Sequence, residues 1–477
     1  MGICGNAASK PGASCPSGTP TLALPHKWGG EHSGEGLRRM NTTSTTGSSV
    51  AASDGKTVIR QRAGWIPVAG AVALGLAVPL LLAGRGAFAA AAVVALIGLL
   101  WAVPRSTTAT AVNDGFKSPL ARAVWITFSV WLVSVMASPD IVDSGRIWLR
   151  MVALLTAGLA LCGILRSRED LHGIVLRLMV TGAVAGAALS LPAVLVLPET
   201  FAWLRGHGDM REVSDIAAQI LKSYGTALAC LMPVVLWAGW RLGGSWRAPA
   251  LLFQVLAIGV LFAINSRSGL VAAGLALGVV GTWMAWRRIG VLGVGGVVLV
   301  AGGLIVAVLL DSERNNTIEV ALGLPIWLVD AHRQAIWAFT LSQVGDALWL
   351  GVGINMAPSL PGAQQIVEGS TVEILPGHPH NAFLEVLVET GAIGLAAMAA
   401  ALLLLLAGAL RVLLHDGAAG AALLGLCAAF WFASLISYSF WSFWWQATYV
   451  LLMAPVAACL TPGLVSGGLR RPGKKDR

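Results

Sequence analysis

Residues 377–410 read GHPHNAFLEVLVETGAIGLAAMAAALLLLLAGAL, and this stretch decides the fold class. From Phe383 to Leu410 it is a continuous apolar run, without the polar alternation of a half-buried strand. A helix of roughly 18 to 25 residues crosses about 30 Å of hydrocarbon, and a helix satisfies its own backbone where water is absent. The run therefore reads as a membrane span. Its entrance is unusual, because His378, His380, Asn381, Glu385 and Glu389 stand against the apolar segment. Groups that titrate or hydrogen-bond are costly beside hydrocarbon, so such a cluster marks a candidate functional site.

The rest of the chain repeats the pattern. Of 477 residues, 56% are hydrophobic and 12% charged, and the mean hydropathy is +0.76. This is an all-α, polytopic membrane protein. About twelve apolar segments are long enough to span: 65–84, 86–103, 119–138, 147–165, 172–197, 223–240, 248–265, 268–286, 290–310, 383–410, 417–437 and 440–461. They divide the chain into a tail (1–64), a first block of nine spans (65–310), a large loop (311–382), three more spans (383–461) and a basic tail (462–477). The first 64 residues are rich in Gly, Ser, Thr and Pro and are expected to be disordered, with Met40 an alternative start. Cys4 and Cys15 lie in that tail and the other four cysteines in apolar segments, which suggests neither a disulfide framework nor a metal set.

Charge fixes the expected orientation. Arg105, Lys117, Arg166, Arg168, Arg241, Arg247, Arg287, Arg288 and Arg411 fall in alternate connections, on the same side as the basic C-terminal tail. The positive-inside rule puts that side and both termini in the cytoplasm. The net charge of +9 is then explained by topology and anionic lipid, and nucleic acid is not needed as a partner.

The opposite, periplasmic side carries the unusual polar residues. Arg205 and Arg211 lie in the connection after the fifth span, and Arg267 in the tight turn Asn265-Ser266-Arg267-Ser268-Gly269 after the seventh. Arg333 lies in the large loop, on an amphipathic helix expected over Ala331 to Val344. Each guanidinium is either a snorkelling anchor or an anion clamp, since it pairs bidentately with phosphate and stays charged. Arg205 and Arg211 have the further alternative of neutralising nearby acids. In Leu350-Gly351-Val352-Gly353 the two glycines permit a sharp turn, and no phosphate-binding helix start follows. An imidazole near its usual pKa can take a proton from a hydroxyl, so His380 and His378 are candidate bases. Asn381 suits the helix cap, and Glu385 is either a satisfied interfacial carboxylate or the orienter of a loop imidazole.

Taken together, Arg333, Trp337, Leu350-Gly351-Val352-Gly353, His380-Asn381, Leu384-Glu385 and Glu389-Thr390-Gly391-Ala392-Ile393-Gly394 resemble the O-antigen ligase and O-antigen polymerase superfamily. The Ser266-Arg267-Ser268-Gly269 turn is similar to that family's Ser-Arg-Gly loop. The resemblance implies a membrane glycosyltransferase of the bacterial inner membrane with its active site on the periplasmic face. It also implies an undecaprenyl-pyrophosphate-linked glycan as donor and no metal or other cofactor. The acceptor would be lipid A core for a ligase, or the growing glycan for a polymerase. Carried over, His380 is the base, and Arg267 with Arg205 or Arg211 holds the pyrophosphate; His378, two residues before His380, keeps the choice of base open. The rival of another class is a lipid-linked sugar transporter or flippase, which would place ionisable groups at mid-bilayer and show internal repeats.

Overall fold

The computed structural model describes residues 64–206, 216–288, 331–366 and 373–460. The expected ninth span (290–310), Arg211, the N-terminal tail and the C-terminal basic tail lie outside the described residues. Fourteen α-helices are described: α1 (Trp65–Leu76), α2 (Arg85–Trp101), α3 (Arg105–Phe116), α4 (Pro119–Met136), α5 (Ile141–Ser167), α6 (Glu169–Leu195), α7 (Pro198–Leu204), α8 (Ile216–Leu242), α9 (Arg247–Ala263), α10 (Arg267–Arg288), α11 (Ala331–Val344), α12 (Ala382–His415), α13 (Gly417–Ile436) and α14 (Phe443–Ala458).

Among the described residues, eight helices are long and apolar enough to cross a membrane, or nine if the bent pair α2 and α3 counts as one span. The first expected span is interrupted. Helix α1 ends at Leu76 and a 3-10 turn, Pro79–Leu82, follows, because proline brings no N–H to continue the ladder. A helix not anticipated from sequence, α3, turns 112° away from α2 and buries none of its residues. Its Ser, Thr, Asn and Asp content leaves no apolar stripe to bury.

Side chains close the helix starts. Ser118 Oγ accepts from Ala121 N at 3.1 Å ahead of Pro119, Asp140 Oδ1 from Asp143 N at 2.9 Å, and Asp416 Oδ1 from Ala419 N at 3.1 Å. Small residues then let backbones approach. A Cβ on Gly70 would stand 2.8 Å from the Gly98 backbone, so α1 and α2 touch there, and neither position has room for a side chain.

Helix α8 is the hub, buried almost throughout from Tyr224 to Gly239 among α6, α9, α10, α13 and α14. A second cluster joins α4, α5 and α12 to Ile354, Phe440 and Trp441. In a third, Ile336 and Val344 of α11 pack with Leu375 and Val388, so α11 docks on α12 and its own loop rather than lying alone on a membrane surface.

The basic connections gather at one end. Arg166 donates to the Ala457 and Ala458 carbonyls at the close of α14, and Arg168 to the Ala102 carbonyl just past α2. The opposite end holds the α1–α2, α4–α5, α9–α10 and α13–α14 turns and the start of α12.

Candidate active site

The site is built around a break in α12. Gly391 has φ 71° and ψ 179°, so the helix stops and restarts within one chain segment. That frees backbone groups which a continuous helix would pair internally. Residues 348–353 fill the break: Val352 N donates to Val388 O at 3.0 Å, Gly353 N to Glu389 O at 3.0 Å, and Ala392 N to Leu348 O at 2.7 Å. Ser134 Oγ donates to Glu389 O at 2.8 Å and also reaches Leu350 O. Gly351 and Gly391 both have positive φ, and a Cβ on either would collide with the other segment's backbone. The Gly351-Val352-Gly353 run, read from sequence as a sharp turn, serves a backbone-to-backbone contact.

The nine residues before the break carry two buried glutamates one turn apart, Glu385 (2% exposed) and Glu389 (1%). Glu389 Oε2 accepts from Asn355 N at 2.6 Å and from Trp441 Nε1, and Oε1 from Ala357 N at 3.0 Å. Glu385 Oε1 accepts from Ser439 Oγ at 2.6 Å and Oε2 from Phe440 N at 2.5 Å. The pair thus clamps the 353–357 loop and the α13–α14 turn to the start of α12. Carboxyl groups so deep are tolerable because each oxygen is met by a donor.

That turn holds the imidazole. His380 Nδ1 lies 2.8 Å from the Ser437 carbonyl. A carbonyl only accepts, so Nδ1 carries the proton, and in the neutral ring Nε2 keeps its lone pair. His380 sits at φ 52°, a left-handed conformation unusual outside glycine that the surrounding contacts must enforce. One contact is Asn381, whose Oδ1 accepts from Phe383 N at 3.1 Å and Leu384 N at 3.2 Å and caps α12 as expected from sequence. Another is Trp337 of α11, donating to the Pro379 carbonyl at 3.0 Å between the two histidines.

His378 stacks obliquely on His380, ring centroids 4.1 Å apart, with Nε2 3.5 Å from the same Ser437 carbonyl. Burial first, then His380, then Arg333 and Arg85, push its pKa down to about 4. It is therefore neutral at physiological pH.

The candidate cations fare differently. Arg333 is half-buried one helical turn from Trp337, and its charge reaches His378. Arg205 donates to the Leu82 carbonyl and stands 5.8 Å over Phe201, and burial lowers its pKa. Arg267 is exposed at the start of α10. It shares this end of the bundle, since a Cβ on Gly225 near the start of α8 would meet Ile264 of the α9–α10 turn. Arg85, at the start of α2, had no signal in the sequence beyond its charge. Its Nη2 donates to Ser223 Oγ at 3.0 Å, its guanidinium stands 5.0 Å from the Trp444 ring, and its charge reaches both His378 and Tyr438. Tyr438 closes this side, donating to Lys222 O at 3.0 Å with Thr226 Oγ1 also at 3.0 Å.

Comparison with a family model falls on the same region. Residues 250–399 match the family model described as O-antigen ligase. A curated protein of Rickettsia bellii (strain RML369-C), named "Putative polysaccharide ligase", is 27% identical over 143 residues, covering 28% of this chain and 33% of the relative. The chain thus spans about a third of that relative's length. The stretch that carries Arg267, Arg333, both histidines, both buried glutamates and the Gly351–Gly391 contact is accordingly the stretch in which this polytopic, all-helical membrane protein matches the O-antigen ligase family.

Proposed function

We propose that the protein transfers a glycan from undecaprenyl pyrophosphate to a hydroxyl acceptor at the end of the bundle opposite the basic connections. That end faces the periplasm of a bacterial inner membrane, and both termini lie in the cytoplasm. The observation that carries the reading is the His380 imidazole, fixed by its Nδ1–H on Ser437 O at 2.8 Å in a region rich in arginine. His380 Nε2 takes the acceptor hydroxyl proton while the acceptor oxygen bonds to C1 of the donor sugar. The C1–O bond to pyrophosphate breaks, and its electrons leave with undecaprenyl pyrophosphate. Arginines near the departing group stabilise the charge that develops there.

The two histidines divide the work. His378, held down to about 4, is a poor base at neutral pH and serves as a neutral neighbour of His380. Arg267 and Arg211 hold the pyrophosphate with Arg333, whereas Arg205, engaged with the Leu82 carbonyl, ties α7 to the α1–α2 turn. Glu385, Glu389 and Asn381 position the base through the turn and the cap.

Transfer from an undecaprenyl-pyrophosphate-linked glycan by purified protein in vesicles, offered lipid A core or free glycan as acceptor, tests the proposal. Transfer to lipid A core supports a ligase and extension of the glycan a polymerase. Movement of donor across the bilayer without transfer to either acceptor would return the transporter reading.

A further inference from the structure

We propose that Arg85 is a further substrate-binding residue of this site, contacting a phosphate group of the lipid-linked donor with Ser223 as its fixed support and Trp444 as its wall. The inference rests on the transferase reading above and adds a residue from a part of the chain, the α1–α2 turn, that lies well outside the family match at 250–399.

Three observations converge. The first is placement: Arg85 is the opening residue of α2, where the helix dipole already presents positive potential and a cation is disfavoured. Helices α8, α10, α12 and α14 also begin at this end, so their N-termini add to the same field. The second is partnership. Among the described residues the ion pairs are Lys117–Asp114, Arg146–Asp143 and Arg168–Asp170, and none involves Arg85. Its one hydrogen bond to a described side chain goes to the Ser223 hydroxyl. A guanidinium offers five donors in a planar fork, so a bond to one hydroxyl leaves donors that no described carboxylate meets.

The third is orientation. Trp444 lies 5.0 Å from the guanidinium carbon, and Ser223 anchors one nitrogen, so the side chain is held rather than free to sweep the surface. Held there, its charge reaches the His378 ring, which is 4.1 Å from His380. An anion seated between Arg85 and the histidine pair would offset the charges of Arg85 and Arg333, both of which reach the His378 ring. The phosphate of a polyprenyl carrier fits that chemistry, because its tail can remain in the bilayer while its headgroup reaches the turn. A phospholipid headgroup shares the same chemistry, and the test separates the two.

The experiment is equilibrium binding of undecaprenyl pyrophosphate to the full-length protein in phosphatidylcholine nanodiscs, for the wild type, Arg85→Ala, Arg85→Lys and Ser223→Ala, with thermal melting to confirm folding. Arg85→Ala is expected to weaken binding about tenfold, the loss of one charge-assisted contact. Arg85→Lys should lose less, because it keeps the charge but not the fork. Ser223→Ala should lose about threefold by releasing the guanidinium from its support. If Arg85→Ala does not fold, the other two variants carry the comparison. Equal affinity for the wild type and the folded variants overturns the proposal. So does a loss seen for added phosphatidylglycerol but not for undecaprenyl pyrophosphate, which would make Arg85 a headgroup anchor. Binding is read without turnover, so the two readings fail separately. A wild type that binds through Arg85 but transfers nothing overturns the transferase, and one that transfers while Arg85→Ala binds equally well overturns this proposal alone.

Discussion

The two ends of the helix bundle use arginine in opposite ways. At the basic end Arg166 lies in the last turn of α5, and its guanidinium meets the carbonyls that end α14. Arg168 there takes both Asp170 oxygens, at 2.9 and 2.7 Å, together with the Ala102 carbonyl. Both cations reach carbonyls at helix C-termini, which want donors, although Arg168 also stands at the start of α6. At the other end Arg85 and Arg267 open α2 and α10, against the dipole. Arg105 and Arg247 also open helices, α3 and α9, at the basic end, so what sets Arg85 apart is its hold on Ser223 and Trp444 rather than its helix terminus alone. What each guanidinium touches separates a tie to backbone carbonyls, as at Arg166, from a side chain held by a hydroxyl and an indole, as at Arg85.

The largest expected effect lies at the site end. His380→Ala, compared at matched folded amounts, should lower glycan transfer at least about 100-fold, the scale of a missing general base. His380→Ala at wild-type rate would remove the chemical half of the contrast between the ends. Next is the clamp. Glu389→Ala leaves the Asn355 and Ala357 amides and the Trp441 indole N–H without their acceptor, at about 1 to 3 kcal/mol for each buried group. The variant should melt far below the wild type in detergent or fail to accumulate. Gly391→Ala should behave similarly, because a Cβ there strikes the backbone of Trp349 at a positive φ.

A smaller effect concerns pH. His378 is held in the fold to about 4, below its usual value near 6.5, so the unfolded chain takes up its proton first. The stability that depends on this residue is complete above about pH 6.5 and declines as pH falls towards 4. His378→Gln should flatten that acid slope in melting temperature. It should also leave transfer at neutral pH in place, since His380 keeps its bond to the Ser437 carbonyl. A slope unchanged by the substitution would show that His378 is not its source. Smallest is Arg166→Ala at the basic end. It should cost about 1 kcal/mol of stability, the scale of one hydrogen bond to backbone, and leave transfer unaltered. A substantial loss of transfer in this variant would break the division between the two ends.

Much of this was legible in the sequence. Long apolar runs announced the helices because hydrocarbon leaves the backbone no alternative. Asn381 read correctly as a cap, and the helix at Ala331–Val344 has the limits its pattern suggested. What escaped has a common cause. The break at Gly391 is one residue in a span that reads as uninterrupted from 383 to 410, and hydrophobic periodicity does not register a single φ reversal. Its partner Gly351 lies forty positions away in sequence, and nothing local pairs them. Glu385 and Glu389 read as residues towards a helix end, but their donors come from segments near 355 and 440. Helix α3 was missed because it is polar, and Arg85 because three-dimensional neighbours, Ser223 and Trp444, distinguish it from an ordinary anchor.

The hydrogen bond from His380 to the Ser437 carbonyl joins residues 57 positions apart, and the acceptor belongs to the last hairpin of the described chain. During biosynthesis the imidazole therefore enters the membrane before the carbonyl that orients it has been made. Glu385 and Glu389 wait likewise for Phe440 and Trp441. A nascent or truncated chain ending before residue 437 would hold the histidines and most of its spans but lack the finished constellation. The order of translation thus sets the order of assembly: the turn that orients His380 is complete only after the α13–α14 hairpin has been made.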